Sequence, residues 1–198
     1  MDNSTQRWKI LLAAIPLGVV LNLGPGWAAK ALHAPLFLDS IGTIMFTILC
    51  GWRVGAVIGV FSFVLGGLLD PTMFYFILTE VAIVVVAGVA ATLGSFRNMP
   101  CIILTGVALG FIAALVSAPA VALAFDEASS AGLPPFTAFL AETGGYLQKA
   151  FMSSEVWIEP MDKILQCAAA VVIIKALPKA LLNRLNSPAS FLKANGFI

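Results

Sequence analysis

Charged residues are scarce in this sequence: its 198 residues include 11 lysines and arginines and 10 aspartates and glutamates. Hydrophobic residues make up 60% of the chain, and the mean hydropathy is +1.00. A water-soluble domain of this length could not bury so much apolar surface. The few basic residues are also scattered, which disfavours nucleic-acid binding. The composition therefore predicts an integral membrane protein.

Side chains that perform enzyme chemistry are also few. His33 is the single histidine, and we interpret it as a loop residue without a catalytic role. The sequence contains no GxxxxGK[ST] phosphate loop and no HExxH or GxSxG motif. Its three cysteines have neither disulfide nor metal-ligand spacing and are predicted to be buried, inert thiols: Cys50, Cys101 and Cys167. We expect no enzymatic activity, no cofactor and no metal.

Long apolar runs, separated by glycine, proline and charged residues, predict one all-α domain over residues 1–198. Residues from about 180 to 198 are predicted to form a cytoplasmic tail. The six predicted transmembrane helices are Ile10–Ala29, Leu36–Cys50, Val54–Leu69, Met73–Leu93, Cys101–Phe125 and Trp157–Leu177.

Basic residues favour one side of this six-span arrangement, and cytoplasmic loops collect lysine and arginine. Both termini are therefore predicted to be cytoplasmic, in a multi-pass protein of the cell membrane. A secretory signal peptide at the N-terminus is the alternative, but the first apolar stretch is long enough to span. The residues on the basic side are Arg7, Lys9, Arg53, Arg97, Lys175, Lys179, Arg184 and Lys193.

One long connection, residues 126–156, separates the last two predicted spans. Pro134-Pro135 followed by an amphipathic segment predicts a short interfacial helix there. This helix would either cover a cavity as a lid or rest on lipid.

Asp39 places a carboxylate in the apolar second span, where a charge at mid-bilayer costs about 2.5 to 3.5 kcal/mol. Asp39, Thr43 and Thr47 recur every four residues, so we predict that they share one helical face. Asp39 would either reach water at the end of the span or line a cavity.

Two other spans carry similar polar stripes, and Asn22 adds a polar group to the first. Several such stripes in the outer half of the protein favour a shared cavity that opens outward. Alternatively, Lys163 neutralises Asp39 or Glu80 in a buried ion pair that only fixes the packing. The stripes are Thr72, Tyr75 or Phe76, Thr79 and Glu80 in span four, and Glu159, Asp162 or Lys163, and Gln166 in span six.

Small residues four apart allow helices to approach closely, either inside the bundle or against a partner. The pairs are Ala14 and Gly18, Gly55 and Gly59, and Gly106 and Gly110.

The segments "PLFLDSIGTI", "DPTMFYF" and "EPMDKIL", with six predicted spans in about 200 residues, resemble the substrate-binding S component of energy-coupling factor (ECF) transporters. The resemblance extends from span one to Leu181. It implies a binding protein that captures a vitamin or related small molecule outside the cell and delivers it through a membrane T component and two cytoplasmic ATPases.

The resemblance also implies where the site lies. The loop Leu32–Leu38 would cover a pocket formed by spans four to six, and Ala14 and Gly18 replace the Ala-xxx-Ala pair that contacts the T component. Tyr75, Glu80, Glu159, Asp162 and Lys163 would be wall residues, and we add Asp39 and Thr43 from their stripe.

Three other functions remain open. A sensor module would need a separate output protein, and an ion-coupled secondary transporter would use Asp39 or Glu80 but lacks a visible inverted repeat. A membrane enzyme lacks a paired nucleophile and base. Acids, Lys163 and aromatic residues suit a neutral or zwitterionic ring compound, such as a vitamin, a precursor or a nucleoside.

Overall fold

A computed structural model describes residues 3–125, 155–184 and 189–198. These residues form helices and no strand, as predicted. The predicted interfacial helix between spans five and six lies outside the described residues. The helices are α1 (Asn3–Ala31), α2 (Ile41–Cys50), α3 (Trp52–Gly67), a 3-10 helix (Pro71–Phe76), α4 (Ile77–Thr92), α5 (Met99–Phe125), α6 (Glu155–Ala176), α7 (Lys179–Arg184) and α8 (Ala189–Ala194).

Three segments in the described part of the chain are long and apolar enough to cross a membrane: Leu12–Ala31, Pro71–Thr92 and Met99–Ser117. The shorter helices α2 and α3 are also apolar. Helix α6 is long, but four charged residues interrupt its N-terminal half. These features indicate a membrane protein.

Helix α2 lies at the centre of the bundle and packs against α1, α3, α4 and α6. Every residue from Ile41 to Leu49 is buried. A helix surrounded in this way need not present an apolar surface to lipid. This explains how α2 can lie inside a membrane protein with only ten residues.

Helix ends fall near three of the breaks predicted from glycine, proline and charged residues. Gly51 separates α2 from α3 with a φ of 91°, a value that favours glycine. At the start of the 3-10 helix, the Asp70 side chain accepts a hydrogen bond from the Thr72 backbone N–H, and Pro71 occupies the first turn. The break before α5 contains Gly94, with a φ of 73°.

The small-residue pairs pack within the chain. A Cβ added to Gly42 would collide with the Gly18 carbonyl oxygen, and one added to Gly18 would lie 2.7 Å from the Ile58 side chain. Ala14 is also buried. The close approach that Gly18 permits within the chain is between α1, α2 and α3, and contact of Ala14 and Gly18 with a T component stays a prediction.

The C-terminal residues 189–198, part of the segment predicted to be a cytoplasmic tail, dock onto the bundle. Asn195 accepts a hydrogen bond from the Phe96 backbone N–H at 2.7 Å and donates one to the Ala91 carbonyl at 2.9 Å. Leu192 and Phe197 are buried beside them. This contact closes the end of the bundle where α4 meets α5.

Candidate binding cavity

A cavity of about 430 Å³ lies at the opposite end, where α1 leads into α2 and α3 leads into α4. Its wall combines aromatic side chains with buried carboxylates. This size and this mixture suit a small organic ligand. The lining includes Trp27, Phe37, Phe63 and Phe76 among the aromatic residues, and Asp39, Thr79, Glu80, Glu159 and Lys163 among the polar ones.

Asp39 borders this cavity from a loop, and not from a helix as predicted. Helix α2 begins only at Ile41, with Ser40 as its N-cap residue. Ser40 Oγ does not cap the helix but lies 3.0 Å from Asp39 Oδ1 and 2.8 Å from Glu80 Oε2. Asp39 is therefore not part of the predicted helical stripe, whereas Thr43 and Thr47 both lie on α2. Thr43 hydrogen-bonds to Glu80 and Thr47 lies against Gly55, and neither borders the cavity.

Lys163 is the cation at the centre of the site. Its side chain is 3% exposed, and its Nζ lies 2.9 Å from Asp162, 3.2 Å from Asp39 and 3.6 Å from Glu159. The ion pair between Lys163 and Asp39 foreseen from the sequence is thus present. Glu80, the other predicted partner of Lys163, is engaged by hydroxyl groups.

Asp162 connects α6 to the loop that precedes α2. Its Oδ1 accepts hydrogen bonds at 3.0 Å from the backbone N–H groups of Phe37 and Leu38. Its Oδ2 accepts from Gln166 at 2.6 Å, and Gln166 Oε1 accepts from the Ser40 N–H at 2.9 Å. These bonds hold Leu38 at a φ of 50°, which a non-glycine residue rarely adopts. Asp162 therefore positions the loop and does not itself line the cavity.

Glu80 is buried between α2, α3 and α4. It accepts hydrogen bonds from Ser40 and Thr43, the latter a short one. A Cβ on Gly59 would lie 2.6 Å from Glu80 Cγ, so this glycine makes room for the carboxylate. No basic side chain in the described segments comes within ion-pair distance of Glu80.

Asn22 joins α1 to this network. Its Oδ1 accepts from the Gly42 N–H at 2.7 Å, and its Nδ2 donates to Thr43 Oγ1 at 2.8 Å and Ser62 Oγ at 3.0 Å. Because Thr43 in turn donates to Glu80, a continuous chain of hydrogen bonds runs from α1 to the cavity wall. Such buried networks fix one arrangement of their helices.

Most of the predicted site residues come together. Asp39, Glu80, Glu159 and Lys163 line the cavity, whereas Thr43 and Asp162 support it from behind. Tyr75 differs: it is 48% exposed on the 3-10 helix, and its neighbour Phe76 lines the cavity instead. The sequence analysis had also placed Asn22, Thr79 and Gln166 in the polar stripes, and the structure brings all three to the site. Ser40 and Ser62 were missed, because an isolated serine in an apolar stretch gives no periodic signal.

Lys30 and Asp70 form an ion pair at the rim, with Nζ 2.8 Å from Oδ2. The hydrogen bond from Lys30, with help from Thr72, lowers the pKa of Asp70 below its ordinary value of 3.8. This pair is exposed, with the Lys30 side chain 74% accessible. We therefore expect it to contribute little to stability.

Replacing Lys30 with Met should lower the free energy of unfolding by less than about 1 kcal/mol.

Because the pKa of Asp70 is lowered in the folded protein, the contribution of this carboxylate to stability is complete above the ordinary pKa and is lost as the pH falls through the lowered value. Melting temperatures measured in acidic buffers should therefore fall less steeply for Asp70→Asn than for the unchanged protein. An equally steep fall would show that other carboxylates account for it.

Comparison of the chain with protein-family models, curated proteins and solved structures finds no match.

Proposed function

We propose that this protein binds a small molecule within the membrane and is the substrate-binding S component of an ECF-type importer. The cavity, with its aromatic and ionic lining, carries the first part of the proposal. The resemblance of the motifs around Asp39, Asp70 and Glu159 supports the second. Six spans with both termini in the cytoplasm belong to this proposal, and so do a T component and two ATPases as partners.

The position of the cavity agrees with capture from outside. In the described segments, the basic residues at this end of the bundle are Lys30 and the buried Lys163. The opposite end contains Arg53, Arg97, Lys175 and Lys179. Since basic residues collect on the cytoplasmic side, the cavity would face outward.

The first test is to purify the protein in detergent and measure its melting temperature with water-soluble vitamins, their precursors and nucleosides. A compound that binds the folded state raises this temperature by mass action. We expect a saturable rise with one compound, without ATP or an ion gradient. If none causes a rise, and the protein instead co-purifies with a kinase or other output protein, the proposal fails in favour of a sensor.

Asp39→Asn separates a ligand contact from a purely structural ion pair. We expect the dissociation constant of the compound found above to rise about tenfold, while unfolding changes less, because Asp39 is 26% exposed at the cavity wall. Titration by melting temperature and by direct binding gives both quantities. Equal losses of binding and of folded protein would assign Asp39 to packing alone.

A further inference from the structure

We infer that the cavity binds a small organic cation, with Glu159 and Thr79 accepting its N–H groups. This inference rests on the proposal that the cavity is a ligand site, and it assigns the chemical class of that ligand. It departs from the neutral or zwitterionic compound that the sequence favoured.

The charges around the cavity are unequal. In the described residues, the site contains four carboxyl groups, of Asp39, Glu80, Glu159 and Asp162, and one buried amine, that of Lys163. The rim pair of Lys30 and Asp70 adds no net charge. Carboxylates removed from water require compensation, so a positive ligand group would complete the site.

Two buried oxygen atoms in the cavity wall have no hydrogen-bond partner among the residues that the structure describes. They are Glu159 Oε2 and Thr79 Oγ1, in residues that are 8% and 7% exposed. Lys163 Nζ lies 3.6 Å from Glu159 Oε2, beyond a hydrogen bond. Leaving a buried oxygen atom without a hydrogen-bond donor is unfavourable. Because Glu159 on α6 and Thr79 on α4 both line the cavity, N–H donors of a ligand in it would satisfy both atoms.

The aromatic wall favours an organic cation over a metal ion. Trp27, Phe37, Phe63 and Phe76 supply apolar and π surface that an inorganic ion does not use. A flat or compact cation gains from such rings through burial and through cation–π attraction. No group of metal-ligating side chains occurs among the residues that the structure describes.

The test compares probes of the same shape and different charge. Phenethylamine, phenethyl alcohol and phenylacetate form one set, and tryptamine, tryptophol and indoleacetate form a second. We expect the two amines to raise the melting temperature of the purified protein and the alcohols and acids to raise it less. Sodium chloride and potassium chloride, matched in ionic strength, serve as inorganic probes.

Two variants locate the binding. Glu159→Gln preserves shape and removes the charge, and it should weaken amine binding about 10-fold to 100-fold. Thr79→Val should weaken it less. Thr92→Val, at the other end of α4, removes a hydroxyl that donates to the Val89 carbonyl and should leave binding unchanged. Melting temperatures without probe show whether each variant folds.

Several results would overturn the inference. If alcohols or acids bind more tightly than amines, the cavity remains a ligand site but not for a cation. Amine binding that survives Glu159→Gln in a folded variant would place the cation elsewhere. Stabilisation by sodium over potassium without amine binding would indicate an inorganic ion. If neither these probes nor the vitamin and nucleoside panel binds, the proposed function fails as well.

Discussion

Replacing Lys163 with Met should destabilise the protein more than any other single charge change. Three carboxylates lie within 3.6 Å of its Nζ, and the substitution leaves them without their shared cation. Removing one partner of a buried ion pair typically costs about 3 to 5 kcal/mol. We expect a large fall in melting temperature in detergent, or a failure to accumulate in the membrane.

Lys175→Met is the matched control, because Lys175 is exposed near the other end of the same helix. It should change the free energy of unfolding by less than about 0.5 kcal/mol. Adding Asp39→Asn to Lys163→Met should restore part of the lost stability, since it removes one uncompensated charge. Equal melting temperatures for the two lysine variants would contradict the central position assigned to Lys163.

Gly110→Ala should also cause a large loss of stability, through steric overlap. An added Cβ would collide with the backbone of Pro160 and Glu159 on α6. Backbone atoms cannot rotate away as a side chain does, so α5 and α6 must separate. We expect a loss near the upper end of the overpacking range, about 3 kcal/mol, together with weaker ligand binding because α6 carries Glu159 and Lys163.

Gly24→Ala tests whether the loss comes from crowding or from the residue type. A Cβ at Gly24 meets nothing within 4 Å, and this glycine is exposed on α1. Alanine has the higher helix propensity, but before Pro25 its Cβ disfavours the helical backbone, so the free energy of unfolding should change by less than about 1 kcal/mol. Thermal unfolding of both variants decides the matter: similar melting temperatures would show that the contact between α5 and α6 yields easily.

The membrane class and the main breaks between helices were predictable from local sequence. Hydropathy, Gly51 and Asp70-Pro71 act through neighbouring residues, so their effects can be read without a structure. The acids and the lysine of the cavity were also predictable, because ionisable residues in an apolar chain need a shared polar environment.

The start of α2 and the role of Asp162 could not be predicted in this way. Periodicity extended the helix back through Asp39, but Asp162 and Gln166 bind the backbone of Phe37, Leu38 and Ser40 from more than 120 residues away. Such long-range bonds override the local pattern. The small-residue pairs are similar: spacing identifies a close approach, and only the fold shows that Gly18 meets Gly42 inside the bundle.

If the cavity binds a ligand as proposed, the bonds from Asp162 to Phe37 and Leu38 link the loop thermodynamically to the occupancy of the cavity. Asp162 also contacts Lys163, so a ligand that shifts this lysine changes how firmly the carboxylate holds the loop. Linkage is reciprocal: whatever ligand binding does to the loop, fixing the loop does to affinity. The hydrogen-exchange rates of the Phe37 and Leu38 amides should therefore change when a ligand enters the cavity. Measuring them would report binding without knowledge of the ligand's identity.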